Sequence, residues 1–159
     1  MNRPVQQKGS VGQGGRHRHS GNFGRTELSV DIKNISKDLF SRQADECAQA
    51  VAESGKRNRS SVNKPTQLRR FYDELEMRYS QVFSLQSPEQ RAQKLDEILP
   101  FIQMLIAKAA YAQGRGHIDA TFNDLFSSLI TQIDTVDDLR NAKLFMEAFM
   151  GFYRQHGRD

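Results

Sequence analysis

The sequence has few of the residues that build a disulfide framework or a membrane span. Its 159 residues include one cysteine, Cys47, and no tryptophan. A single cysteine excludes an internal disulfide and is typical of a reducing compartment, so we expect a cytoplasmic protein. No apolar run approaches the roughly 20 residues that cross a bilayer. The first residues also lack the apolar segment of a secretory signal, and we expect no contact with a membrane.

Acidic residues are absent from the first 26 positions, which contain six glycines and five lysines or arginines. Only Val5, Val11 and Phe23 could pack in this segment. So little apolar surface cannot offset the entropy lost when a chain becomes ordered. We therefore expect residues 1–26 to form a disordered basic arm and residues 27–159 to form a single helical domain.

The charge of the chain is unevenly distributed. Residues 1–70 carry 14 Lys and Arg against 6 Asp and Glu, whereas residues 71–159 carry 9 against 13. The first part is therefore net positive by 8 and the second net negative by 4. A strongly positive part indicates an anionic partner, and nucleic acid is the first candidate. The alternative is a basic segment that only keeps the protein soluble.

Apolar residues after the arm recur at the three- and four-residue spacing of amphipathic helices. No segment alternates as a strand does, so the pattern predicts an all-α fold, a five-helix bundle. The first helix is expected to have Ser36 as its cap and to end at Gly55. The second is expected to begin at Pro65, which suits the first turn of a helix.

The third helix has the most apolar sequence of the five. It is apolar almost all round from Ile98 to Ala110, which predicts a position at the centre of the bundle. Pro100 lacks a backbone N–H, so we expect a kink or a break near Leu99. Ser87 and Thr135 are the predicted caps of the third and fifth helices.

Residues that could support catalysis or metal binding are isolated from one another. Cys47 lies on the apolar face of the first helix, where it is expected to be a small core residue. His17 and His19 are close in sequence but have no carboxylate or cysteine near them, and His117 is expected to be a cap or a surface group. We therefore expect no enzymatic activity, no cofactor and no metal site.

A basic segment between the first two helices is the first candidate site. It comprises Lys56, Arg57, Arg59 and Lys64 in a predicted loop over residues 55–64, followed by Arg69 and Arg70 in the second helix. A loop lets backbone and side chains approach phosphates together, and the positive end of the helix adds to the attraction. Such contacts carry no sequence information. The alternative is a solvated, charge-rich loop.

A second candidate site lies at the end of the third helix. Lys108, Tyr111 and Arg115 are three and four residues apart, so they can share one helix face. They could form a basic stripe around an aromatic ring that stacks on RNA. The alternative is that the cations only stabilise the negative end of the helix. We expect the two sites to meet on one RNA-facing surface.

Three short motifs resemble the small subunit of type III-A CRISPR effector (Csm) complexes. They are Thr66-Gln67-Leu68-Arg69 with Phe71, the segment from Lys108 to Arg115, and the segment from Phe145 to Phe149 followed by Tyr153. The order and spacing of the three motifs together carry the resemblance, which covers residues 63–155. No part of the first 60 residues carries the resemblance.

The resemblance implies a five-helix fold without enzymatic activity or a cofactor. It implies several copies that contact one another, the backbone and large subunits, and the guide RNA paired to target RNA. By position, Arg69, Lys108 and Arg115 are the implied RNA contacts, whereas Glu147 and Tyr153 are implied packing or subunit contacts. The competing hypothesis is a helical protein–protein adaptor whose basic loop docks an acidic partner.

Overall fold

The computed structural model describes residues 28–58 and 61–157. Within these ranges the chain forms helices and no strand. The helices are α1 (Ala44–Arg57), α2 (Pro65–Phe83), α3 (Pro88–Gly114), α4 (Ala120–Thr131) and α5 (Val136–His156). The predicted all-α, five-helix fold is confirmed. The arm predicted over residues 1–26 lies outside the described ranges.

Helix α5 forms the centre of the core, packing along α1 and α2. Its buried apolar side chains are Leu139, Ala142, Phe145, Met146, Phe149 and Tyr153. The prediction that α3 occupies the centre is wrong, because Phe101 and Met104 of α3 are 52% and 48% exposed. Helix α3 packs mainly against α2 and α4, and its buried residues form one stripe that leaves the opposite side uncovered. The sequence of α3 is apolar on nearly every side, but only one side of the helix is buried.

Helix α3 is continuous from Pro88 to Gly114 and includes Pro100. Of the kink or break expected near Leu99, the break is absent. Pro100 is exposed, so water can reach the carbonyl that loses its partner. The predicted cap is present, since the Ser87 hydroxyl accepts a hydrogen bond from the Gln90 N–H at 3.1 Å. Helix α3 therefore loses one backbone donor at Pro100 but has a well-formed cap at its start.

The first helix begins later than the sequence pattern indicated. One π-helical turn, Leu39–Gln43, leads directly into α1. The Ser36 hydroxyl accepts a hydrogen bond from the Gln43 side chain at 2.8 Å instead of capping the helix. Gly55 lies inside α1, which continues to Arg57. The predictions of Ser36 as the cap and of a loop starting at residue 55 are both wrong.

Residues before the π turn are held by side chains of α5 and of the turn that precedes it. The Gln132 amide accepts a hydrogen bond from the Ile32 N–H at 3.0 Å and donates one to the Val30 carbonyl at 2.9 Å. The Asn141 amide donates to the Ile32 carbonyl at 2.9 Å. Ile32 is thereby fully buried. These amides satisfy backbone groups that no helix or sheet pairs.

The Cys47 side chain lies in the core, as the sequence predicted, and is 5% exposed. Burial raises the pKa of its thiol to about 11, and the nearby charge of Glu46 acts in the same direction. The thiol is therefore protonated at neutral pH, which does not suit a nucleophile. No helix in the described ranges is long and apolar enough to cross a membrane.

Candidate nucleic-acid interface

Four buried polar side chains lie where the α1–α2 connection meets the end of α5. They are Ser54, Asn63, Asp119 and Tyr153, named here the polar hub. Asn63 has a φ of 55°, the only positive φ of a non-glycine residue among those described. Asparagine tolerates this left-handed conformation better than most residues.

Asn63 makes hydrogen bonds to three other segments of the bundle. Its side chain accepts from the Asp119 N–H at 3.0 Å and donates to the Val51 carbonyl at 3.3 Å. Its backbone N–H donates to the His117 carbonyl at 2.9 Å, and its carbonyl accepts from the Tyr153 hydroxyl at 2.5 Å. Asn63, which directly precedes Lys64, is therefore fixed to α1, to the segment after α3, and to α5.

Asp119 completes the hub and caps α4. One carboxylate oxygen accepts from the Phe122 N–H at 3.0 Å, and the other accepts from the Ser54 hydroxyl at 2.6 Å. Burial and the neighbouring negative charge of Asp119 raise the pKa of Tyr153 to about 12. The Tyr153 hydroxyl thus stays protonated and keeps its hydrogen bond to the Asn63 carbonyl. This burial agrees with a packing role for Tyr153.

The first predicted site is divided between two helices and the connection between them. Lys56 and Arg57 are exposed in the last turn of α1, and Lys64 is exposed immediately before α2. Arg70 is exposed on α2. Arg59 lies outside the described ranges. The described side chains of Lys56, Arg57, Lys64 and Arg70 make no ion pair with any described carboxylate.

The second predicted site lies on the outer face of α3. Tyr111 is 67% exposed, and Arg115 donates a hydrogen bond to the Tyr111 hydroxyl at 3.2 Å. The Arg115 guanidinium also lies 5.9 Å from the centre of the Tyr111 ring. Lys108 is exposed one turn before Tyr111. Tyr111 and Arg115 thus make the contact that their spacing allows, whereas Lys108 pairs with Glu74 of α2.

Two contacts bring the predicted sites to the same end of the bundle. The Asn63–His117 hydrogen bond joins the start of α2 to the segment after α3. One side of α2 lies along α3, where Lys108 pairs with Glu74 at 2.5 Å. Lys64 directly follows Asn63, and Arg115 is two residues before His117, so both cations are close to this hydrogen bond. We call Lys56, Arg57, Lys64 and Arg115 the basic end.

Two of the cations already have carboxylate partners. Arg69 pairs with Asp73 at 2.8 Å, one turn along α2, and Lys108 pairs with Glu74 of the neighbouring helix. All four side chains are at least one-third exposed. Exposed pairs of this kind contribute about 0–1 kcal/mol, so a phosphate can compete for either cation.

Arg69 also borders a groove of about 560 Å³ between α2 and α5. We call it the α2–α5 groove. Its walls include Thr66, Arg69 and Tyr72 from α2 and Met150 and Arg154 from α5. The Arg69 guanidinium lies 5.6 Å from the centre of the half-buried Tyr72 ring. Glu147 lies exposed at the same groove and pairs with Lys143 at 2.5 Å.

The sequence pattern did not single out Arg154 or Tyr72, and it did not show that Tyr153 joins Ser54, Asn63 and Asp119 in the polar hub. Arg154 follows the third motif directly, in the last turn of α5, where a cation is easily read as helix-end stabilisation. Tyr72 reads as one more apolar residue of α2. Asn63 carries one local signal, because an asparagine two residues before a helix-starting proline suits a left-handed turn.

Side chains that could ligate a metal ion are not clustered in the described part of the chain. No group of three or more His, Cys, Asp or Glu side chains in residues 28–58 and 61–157 is placed to hold a metal ion. His117 is exposed, and it is its backbone carbonyl that makes the structural contact. His17 and His19 lie outside the described ranges.

The chain matches a known protein family over most of its length. The family model described as Csm2 Type III-A matches residues 38–159. The match includes all five helices and confirms the family expected from the three motifs. No curated protein and no solved structure matches the chain significantly.

Proposed function

The chain belongs to the Csm2 Type III-A family, small subunits of the type III-A CRISPR complex, and we propose that it lines the channel for guide RNA paired to target RNA. In this proposal its cations contact phosphates without reading sequence, and base pairing to the guide supplies specificity. The subunit performs no chemistry itself. It would work in the cytoplasm beside further copies of itself and beside the backbone and large subunits.

The observation that carries this proposal is the clustering of the basic end. Cations from three parts of the chain converge there because the polar hub ties α1, the start of α2 and the segment after α3 together. None of the four cations is paired with a described carboxylate, so binding a phosphate breaks no ion pair there. Each phosphate contact would release condensed counterions from the RNA, which makes binding dependent on salt.

Two of the three family-matched cations, Arg69 and Lys108, contribute in a different way. Asp73 and Glu74 place negative charge within hydrogen-bonding distance of them and so oppose a nearby phosphate. We expect Asp73→Asn with Glu74→Gln to increase RNA affinity, since it removes two negative charges from the surface. A titration at constant salt measures this, and weaker binding by the double variant would contradict the assignment of this face.

The direct test removes the three cations that both charge and family position support. Arg69→Ala, Lys108→Ala and Arg115→Ala together should weaken target RNA capture by the assembled complex without unfolding the subunit. In the isolated chain, the slope of log affinity against log salt should fall by about 2, at roughly 0.7 per lost single-strand phosphate contact.

A matched control separates the site from overall charge. Lys37→Ala, Arg42→Ala and Lys94→Ala remove the same charge from positions near the starts of α1 and α3, remote from the basic end. We expect this control to retain most of the affinity. Equal losses in the two triple variants would show that only net charge matters, and no loss in either would refute the RNA-lining function.

One observation favours the alternative of a protein–protein adaptor. Phe101 and Met104 are exposed on one face of α3, and Met77 is exposed on α2. Exposed apolar groups of this size are more typical of contact surfaces than of solvated ones. An adaptor without RNA contacts would purify free of RNA and bind single-stranded RNA weakly at every salt concentration, which distinguishes it from the proposed function.

A further inference from the structure

The α2–α5 groove brings together an aromatic ring, two cations and a part of the wall that has no side chain. Tyr72 forms part of its wall with Arg69 alongside the ring, and Arg154 approaches from α5. Its volume of about 560 Å³ lies within the range of small-ligand sites. Gly151 contributes no side chain, and a Cβ built there would meet no atom within 4 Å. Part of the groove is therefore open because position 151 is glycine.

Its chemistry fits a nucleotide. Unstacked bases in RNA are commonly held against aromatic rings or against the plane of an arginine guanidinium. Arg69 and Tyr72 offer both surfaces together, and the start of α2 beside Thr66 provides the positive end of a helix. Arg69 and Arg154 place two cations at the groove, and Glu147, the acidic residue in its wall, is paired with Lys143. A nucleotide brings both the flat base and the negative charge that these groups would bind.

We propose that the α2–α5 groove binds one unpaired nucleotide of the RNA, with its base stacked on Arg69 and Tyr72 and its phosphate beside Arg154. This rests on the proposed RNA-lining function but adds a site that responds to a base. The basic end would bind paired and unpaired RNA alike. The groove would favour RNA in which one base is free to leave the stack.

Two duplexes isolate the contribution of the base. Both are RNA duplexes with a one-nucleotide bulge, and the bulged position carries either adenine or no base at all. Their phosphates are equal in number, so only the base differs. The full-length chain should bind the adenine bulge about 5- to 150-fold more tightly than the abasic one, the range expected for stacking one base.

Gly151→Leu tests the site because leucine extends into the groove from a position with open space around its Cβ. The preference for the adenine bulge should disappear, so that Gly151→Leu binds the two bulges with equal affinity. Gly151→Ala, which adds one methyl group, should keep most of the preference. Ala92→Leu, at an exposed position near the start of α3, should keep all of it. Thermal unfolding of each variant checks that the fold is intact.

Each result decides between the two proposals. If the wild-type chain binds both bulges equally and with a steep salt dependence, the groove proposal fails and the RNA-lining function stands. If the wild-type chain binds neither, both fail. If folded Gly151→Leu loses affinity for both bulges equally, the groove contacts backbone and not a base. If it keeps the preference for adenine yet fails to assemble with other subunits, the groove holds protein. Either result overturns the proposal.

Discussion

Asn63 is the residue whose replacement most directly tests how the structure holds the basic end together. Asn63→Ala removes two side-chain hydrogen bonds, one from the Asp119 N–H and one to the Val51 carbonyl. It also places alanine at a φ of 55°. The backbone bonds to His117 and Tyr153 remain available but lose the side chain that aligns them.

The expected loss of stability follows from the groups left behind. The Val51 carbonyl lies inside α1, where the backbone N–H of the next turn can pair with it, so its loss is small. The buried Asp119 N–H is left unpaired, which costs about 1–3 kcal/mol. The left-handed conformation costs alanine a further 1 kcal/mol or so. Asn63→Ala should therefore lower the free energy of unfolding by about 2–4 kcal/mol, which a domain of ordinary stability survives.

Urea unfolding followed by circular dichroism measures this change, and Asn63→Gly separates its two causes. Glycine adopts the positive φ without strain but lacks the side-chain bonds. It should be destabilised as well, but by up to about 1 kcal/mol less than alanine. RNA affinity should fall in both variants, because the start of α2 is no longer held against the segment after α3. An Asn63→Ala protein within 0.5 kcal/mol of wild type would refute the role given to the hub.

Three further predictions concern the core and one helix cap. Cys47 should react with a thiol reagent no faster than the protein unfolds, since its pKa is about 11 and its side chain is buried; rapid labelling of the native protein at pH 8 would contradict this. Phe126→Ala should cost about 3–5 kcal/mol in chemical unfolding, because the ring is fully buried and packs edge-on against Phe71 with centroids 5.1 Å apart. Burial raises the pKa of Asp138, but hydrogen bonds from Lys33 and from the backbone N–H groups of residues 134 and 135 outweigh it and hold the pKa below its usual value. Its stabilising effect is therefore present above about pH 4 and is lost as pH falls through the lowered pKa, so Asp138→Asn should be destabilised at pH 7 and match wild type in strong acid.

The helix boundaries that could be predicted from the sequence are those with a local chemical signal. Thr135 and Asp138 form a capping box, and Ser87 caps α3, as their residue types indicate. Pro65 begins α2 as predicted. Each of these boundaries depends on atoms within a few residues of one another, so spacing alone identifies them.

The boundaries that were wrong depend on distant contacts. Gly55 suits a helix end, yet α1 continues past it, and an added Cβ there would lie 3.3 Å from that of Asn63. Ser36 suits a helix cap, yet the chain before it is held at Val30 and Ile32 by Gln132 and Asn141, about 100 residues away. Neither partner can be read from local pattern, because tertiary contacts decide the conformation at both positions.

The arrangement of the candidate site also could not be predicted from local sequence pattern. Arg69 and Arg70 are adjacent in sequence and were predicted to act as one cluster, but consecutive helical residues point about 100° apart. Arg69 lines the α2–α5 groove and pairs with Asp73, whereas the exposed Arg70 is not part of the groove wall. The basic segment that reads as continuous in the sequence is thus divided by α2 into two surfaces.

That division has a consequence for how RNA would lie on the protein. The basic end and the α2–α5 groove both border the start of α2, where Lys64 precedes the first turn. An RNA strand that reaches both must cross that turn. Pro65 has no N–H, and the Gln67 and Leu68 N–H groups already donate to the Lys64 carbonyl at 2.8 and 3.1 Å. A crossing phosphate would therefore be attracted by the positive end of the helix and by the exposed Lys64 side chain. We therefore expect the strand to be fixed at the start of α2, with duplex phosphates on the basic end and the unpaired nucleotide in the groove.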